Sequence, residues 1–342
     1  MTEFETRALS PFAVGEHRLF GAKTYFMDRV APAIEEIVLP PAATVAGVLS
    51  MTFADASGRA DPPPPRGLAG QFVRPQTVSA PGDAAWIDVR ARFPDNWAHA
   101  LNNFAPLGLM ARARLAEAGR ARDVGFIING KTPAHIERAL GAFGFRTMRA
   151  DGPVLGAVLR VDPSPFVALR GERRAWVEAH AGPWLDALRA KASSDLPSRL
   201  FVSRRDARRL TNESEVEALL AKRGFQKVYP ETFSIADQFA MFERARAIVA
   251  VHGAGVAPLL FRASSAPPLA FVELFNPGHM TDCYRIMTVQ VGGAYAAARG
   301  RLQKAMVEAA YAFDQPFLKH SLNDFHVDGE SLEAALASAG AL

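Results

Sequence analysis

Five apolar residues at 247–251, AIVAV, run straight into His252-Gly253-Ala254-Gly255, and a short helical pattern at 256–262 follows. An uninterrupted apolar run of this length is the pattern of a strand buried on both faces of a parallel sheet. Two glycines two apart let the backbone turn tightly and approach a ligand with no Cβ in the way. The N–H groups and dipole of a following helix favour an anion at that turn. The carboxyl ends of the strands are also where open α/β sheets bind ligands. The same residues fit a plain strand-to-helix turn around a packed histidine equally well. Either way, the chain is constrained to an α/β fold at this point.

Strand and helix signals alternate on both sides of the turn. Ahead of it come a strand at 199–203, a helix at 213–222 closed by Gly224, and a strand at 226–229. A helix at 234–245 follows, with Ser234 as its N-cap and Asp237 three residues on; after the turn comes a strand at 269–274. Strands interleaved with helices in this way predict a parallel, doubly wound sheet. The first half shows a shorter alternation: a strand at 86–89, a helix at 96–118 broken near Pro106, and a strand at 124–129. Thr132 then reads as an N-cap with Pro133 at the first helical position, opening a helix at 134–143 that closes at Gly144. Strand-like runs stand at 36–39 and 44–51, and four consecutive prolines at 62–65 make a loop or rigid spacer. A helix at 172–191 carries Trp176 and Trp184, residues 192–198 are linker-like, and 330–342 is helical in character. A length of 342 residues predicts two domains. These are 1–170, an α/β domain with an irregular N-terminal extension, and 171–342, a second α/β domain whose last helix is free to pack back on the first.

Apolar residues at 49% and charged residues at 22% are the mix of an ordinary globular protein. With Lys plus Arg at 39 against Asp plus Glu at 35, the net charge is +4. That mild excess suits an anionic ligand, and with no long basic run it does not argue for nucleic acid. The single cysteine, Cys283, excludes a disulfide framework and a cysteine zinc site. The N-terminus is acidic where a secretion signal is basic, and no long apolar stretch follows, so the expectation is a cytoplasmic protein. Peripheral contact with a membrane and the oligomeric state stay open. His252 and His279 lack partners at metal-ligand spacing, and no D-x-D pair stands near a strand end. No metal or other cofactor is therefore expected, and guanidinium groups and helix dipoles would neutralise a leaving diphosphate.

Four groups of residues could carry chemistry. The first is the turn itself: His252, Gly253, Ala254 and Gly255. The second is the basic run after the strand at 199–203: Arg204, Arg205 and Arg208, followed by Asn212 at a helix start. An arginine fork makes two parallel bonds to phosphate oxygens, although a solvated basic loop with Asn212 as a cap reads as well. The third is Glu273 at the end of a strand, where a carboxylate can take a ribose hydroxyl pair or simply a salt bridge. Gln238, on the preceding helix, is structural or nucleotide-side. The fourth is Asp95 with His99 near a helix start. An imidazole there can act as a base at neutral pH, with Asp95 as its orienter or as the base itself, or the histidine is simply buried behind a capped helix start.

Together, S-R-R-x-A-R-R-L-x-N-E at 203–213, Gly224-Phe225, Y-P-E-x-x-S-x-x-x-Q at 229–238, A-x-x-I-V-A-V-H-G-A-G at 245–255, Leu259-Leu260-Phe261 and Val272-Glu273-Leu274 resemble glycosyltransferase family 61. The likeness is to its bacterial capsular-polysaccharide members, whose eukaryotic relatives include plant xylosyltransferases and protein O-linked N-acetylglucosamine transferases. It spans residues 199–295, and N-W-A-H-A-L-N-N at 96–103 is similar to the family's N-x-x-H-x-L segment. After H-G-A the family often has Gly-Leu-Thr or Gly-Leu-Ser-Asn. This chain has Gly255-Val256-Ala257-Pro258, which leaves the helix start without a hydroxyl or amide side chain.

The resemblance implies a GT-B fold, with two Rossmann-like domains facing across a cleft. It also implies inverting, metal-independent transfer from a nucleotide-sugar donor to a glycan acceptor in polysaccharide biosynthesis. Arg204, Arg208 and the turn at 252–255 would hold the diphosphate, Glu273 would face the ribose, and His99 or Asp95 would be the base. The rival readings are a non-catalytic nucleotide- or glycan-binding module and a Rossmann-type oxidoreductase. The latter is disfavoured by the absence of G-x-G-x-x-G after the first strand of either half.

Overall fold

The computed structural model describes residues 2–9, 11–22, 33–44, 47–63, 76–162, 170–302 and 318–342; Pro64 and Pro65 of the proline spacer lie outside them. The chain is mixed α/β and divides into two compact units, Met1–Phe12 with Ala43–Ala190, and Ala13–Ala42 with Lys191–Leu342. None of the described helices is long and apolar enough to cross a membrane.

The first unit is built on a mixed sheet. Its strands lie in the order Thr2–Leu9, Gly47–Ala60, Val154–Asp162, Ala84–Asp88, Asp123–Ile128 and Arg146–Arg149. The last three are parallel, and Val124, Phe126, Ile127 and Ile128 are fully buried, as an apolar run between two layers should be. Arg146–Arg149, at the edge of the sheet, carries little apolar content, and the sequence pattern marked neither it nor the inner strand Val154–Asp162.

The helix expected over 96–118 forms in three pieces: a turn at Trp97–His99, a π-helical turn at Ala100–Phe104 and an α-helix at Ala105–Glu117. Pro106 has no N–H for the α ladder, and the wider turn ahead of it absorbs the mismatch, with Ala105 N–H bonding Ala100 O five residues back. The expected helix over 172–191 is likewise two, Arg173–His180 and Gly182–Arg189, broken ahead of Pro183. Thr132 does not cap the following helix. Pro133 takes the cap position, and the Thr132 hydroxyl donates to Asp95 Oδ1 at 2.9 Å.

The second unit is a seven-stranded sheet in the order Gln226–Val228, Arg199–Val202, Ala247–Val251, Ala270–Phe275, Ala294–Arg299, His17–Ala22 and Ile34–Leu39. Every neighbouring pair is parallel except the final hairpin. From Arg199–Val202 the chain steps outward to Gln226–Val228. It then crosses back to Ala247–Val251 and continues the other way, so the winding reverses between Arg199–Val202 and Ala247–Val251. The helix expected at 234–245 runs Ile235–Arg244, and Ser234 caps it by accepting from Asp237 N–H. The expected short helix after the H-G-A-G turn is a 3-10 helix, Ala254–Phe261. The closing helix Gly329–Ala339, which was free to pack on the first domain, lies on the second sheet's own strands Ala294–Arg299 and His17–Ala22.

Candidate active site

Where an open parallel sheet reverses its winding, the two loops leaving the central strands part and form a crevice. Here those loops are the basic run after Arg199–Val202 and the turn after Ala247–Val251. They meet at one atom. The carbonyl oxygen of His252 accepts from Arg204 Nη1 at 3.1 Å and from Arg208 Nη1 at 3.5 Å. Two guanidinium groups are thus gathered beside a helix N-terminus, whose first N–H groups have no partner within the helix.

Each arginine is aimed by its surroundings. The Arg204 fork is held by Asp206, with Nε and Nη2 at 3.1 and 2.9 Å from Oδ1. Arg208 has φ 59°, a left-handed backbone that costs a non-glycine residue about 1–3 kcal/mol. It is anchored through Nε to Ser321 O at 2.7 Å. Burial, then the neighbouring Arg204, pulls the Arg208 pKa below the ordinary guanidinium value. A Cβ at Gly253 would stand 2.0 Å from Arg204 Nη1, so the guanidinium can hold this position only beside a residue without a side chain. Gly255 packs near the Pro230 ring, 3.3 Å from where its Cβ would be.

His252, 7% exposed, donates through Nδ1 to Glu273 Oε1 at 2.5 Å. Glu273 is 0% exposed, and its other oxygen accepts from the Tyr295 hydroxyl at 2.7 Å. Expected at a ribose, Glu273 is instead directed inward, with both oxygens engaged. Burial, and then the Glu273 carboxylate, push the Tyr295 pKa well above its usual value, so the phenol stays a donor. With Nδ1 turned inward, the imidazole presents Nε2 on its opposite edge. Phe275, His279 and Tyr284 surround the ring at centroid distances of 5.6, 4.9 and 5.3 Å. The Tyr284 hydroxyl donates to Gly253 O at 2.6 Å. His279, half-buried, has its pKa lowered to about 4 by burial, then Arg208, His252 and Arg204.

The other donor-side candidates lie apart from this cluster. Arg205 is exposed and stacks its guanidinium 3.9 Å from the centre of the Tyr229 ring. Asn212 clamps the C-terminal segment, with Nδ2 donating to Val327 O at 2.9 Å and Oδ1 accepting from Val327 N at 3.2 Å. Gln238 is buried and donates to Phe233 O at 3.2 Å. In the first unit, Asn96 caps the turn at Trp97–His99 by accepting from Ala98 and His99 N–H at 2.9 and 3.2 Å. His99 is half-buried, with Nδ1 3.4 Å from Asn103 Nδ2. Burial, then Arg170, lower its pKa and keep its imidazole neutral at pH 7. Asp95 is exposed and accepts from Thr132. Among the described residues, no three His, Cys, Asp or Glu side chains are grouped to hold a metal ion.

The family described as Glycosyltransferase 61 matches residues 97–270, just over half of the chain. The chain belongs to glycosyltransferase family 61. A comparison with curated proteins gives no match. The matched stretch of this glycosyltransferase takes in His99, the arginines at 204, 205 and 208 and the turn at 252–255. It ends before Glu273, His279 and Tyr295. Sequence reasoning named His252 and Glu273 but missed their pairing, the Tyr295 hydroxyl behind them, and His279 and Tyr284 around the ring. One signal was present. Asn276-Pro277-Gly278-His279 is a turn at the carboxyl end of a central strand, the edge on which the other site loops stand.

Proposed function

We propose that this glycosyltransferase holds the diphosphate of a nucleotide-sugar donor at the winding reversal of its second sheet and passes the sugar, with inversion, to a glycan acceptor. The observation that carries the reading is the convergence of Arg204 and Arg208 on the His252 carbonyl, beside a helix N-terminus, where the two guanidinium groups add to burial in lowering the His279 pKa. Fixed donors aimed at a developing charge are the largest single contribution in many transfer reactions. The two α/β units would be the acceptor and donor halves of a GT-B enzyme. The resemblance of the motifs to capsular-polysaccharide members supports an acceptor in polysaccharide biosynthesis.

In this reading the acceptor oxygen bonds to the anomeric carbon while the bond from that carbon to the β-phosphate oxygen breaks. The electron pair leaves with the nucleoside diphosphate, onto the guanidinium groups and the turn amides, with no metal or cofactor called on. The acceptor proton goes to a base from the first unit. His99, neutral at pH 7, suits that role better than Asp95, whose carboxylate is turned to Thr132.

The test is thermal stability against UDP, GDP, CDP, CMP and NAD. One nucleoside diphosphate at about 100 times its dissociation constant should stabilise by about 2.7 kcal/mol. Arg204→Ala should abolish that shift while remaining folded. No shift with any diphosphate, or a shift with NAD alone, would overturn the assignment.

A further inference from the structure

The loop that follows strand Ala84–Asp88 presents Phe93 in an unusual state. The residue is 62% exposed, its φ is 55°, and Pro94 comes next. A bulky residue at positive φ is a genuine outlier, and a residue before proline is normally extended. Such strain persists where the surroundings over-determine it, and it clusters at ligand clamps. Here the Phe93 carbonyl closes a turn by accepting from Asn96 N–H at 3.1 Å, which puts Phe93 and Asp95 in one turn. The Phe93 ring lies 5.7 Å from that of His99, and Trp97 pairs with the exposed His135 at 5.8 Å. Asp95, in the same turn, adds an exposed carboxylate, held from behind by the buried Thr132 hydroxyl at 2.9 Å. An exposed flat apolar ring beside a carboxylate and an imidazole matches a saccharide, whose pyranose ring has an apolar C–H face and a rim of hydroxyls.

We propose that Phe93 is the stacking platform of the acceptor-saccharide subsite, with Asp95 beside it taking hydroxyl hydrogen bonds. The subsite rests on the reading of His99 as the acceptor-side base, and its test is read independently of donor binding. Ligand-observed saturation-transfer NMR is run on the full chain with methyl glycosides of xylose, glucose, galactose, mannose and N-acetylglucosamine. At least one should receive saturation on its C–H face from the wild-type protein. Phe93→Ala should weaken that binding about tenfold, and Phe93→Trp should keep it. Phe93→Asn, which tolerates positive φ, should lose binding while its melting temperature rises. Nucleoside diphosphate shifts should be the same in all three variants. Saturation unchanged in Phe93→Asn, or no glycoside bound by the wild-type protein, would overturn the subsite. Loss of the diphosphate shift from the wild-type protein would instead strike the donor reading.

Discussion

His279 is a histidine kept neutral by its neighbours, and that has a consequence for stability. Its folded pKa is about 4, against an ordinary value of 6.5. Between those two values the unfolded chain binds a proton that the folded chain refuses. The contribution is therefore fully present above about pH 6.5 and is lost as pH falls toward about 4. His99 and His135 are lowered too and act in the same direction, so the comparison must be with a variant. His279→Asn should lose less stability than the wild type between about pH 7 and about pH 5, read as the urea midpoint at each pH. Equal losses in the two proteins would mean that the fold does not hold the ring neutral. The guanidinium groups also bear on binding. A diphosphate beside Arg204 and Arg208 cancels the charge that depresses His279, so proton uptake should accompany binding on the acid side. Nothing in the sequence around His279 discloses this, because the cations that act on it are about 70 residues away along the chain and near it only in the folded sheet.

At the scale of elements, the strand-to-helix junction at Gly253 separates folding from function. Its φ of 173° is extended backbone that any residue adopts, so a side chain there costs no strain. What a Cβ would meet is the far end of Arg204, with Nη1 at 2.0 Å, Cζ at 3.0 Å and Cδ at 3.3 Å. That end can move. Gly253→Ala should keep its unfolding free energy in urea to within about 0.5 kcal/mol while weakening nucleoside diphosphate binding about tenfold, because a charge-assisted hydrogen bond contributes about 1.5–3 kcal/mol. Calorimetric titration showing unchanged affinity would remove Arg204 from the binding role. This junction was legible in the sequence because its parts are local: an apolar run, two glycines, and a short helix behind them. The partner of His252 was not. Glu273 reaches it because strands Ala247–Val251 and Ala270–Phe275 pair in parallel with Ala250 opposite Glu273, and that register follows from packing on both faces of the sheet. A glutamate at the end of an apolar strand looks the same whether it faces a ribose or a histidine. The broken helices were half legible: Pro106 announced an interruption, but a π turn rather than a kink resolves it.

At the scale of the whole molecule, the second unit is completed by a segment from the far end of the chain. Strand His17–Ala22 pairs in parallel with Ala294–Arg299, placing Leu19 opposite Ala297, and Ile34–Leu39 closes the edge. Read along the sequence, the run at 36–39 belongs to an irregular extension. Only the sheet shows why it is a strand: it covers an edge that would otherwise expose the parallel core. Arg285, 2% exposed, ties the insertion down. Its Nη2 donates to Gly15 O and Pro40 O at 2.6 Å each, its Nε to His17 Nδ1 at 3.2 Å, and its Nη1 to Asp282 at 3.0 Å. Those carbonyls lie on both flanks of the hairpin, so a single side chain fixes where it enters and leaves the sheet. Replacing it by Met keeps much of the volume and strands the carbonyls, which should cost about 2–4 kcal/mol and should cost it locally. In Arg285→Met the amides of His17–Ala22 and Ile34–Leu39 should exchange with solvent more than about tenfold faster, because local opening is governed by the free energy of the opened piece. Strand Asp123–Ile128 of the first unit should exchange at its wild-type rate. Peptide-resolved hydrogen exchange on the full chain separates the outcomes: acceleration confined to the hairpin supports a clasp, and equal acceleration in Asp123–Ile128 would mean that Arg285 sustains the molecule as a whole.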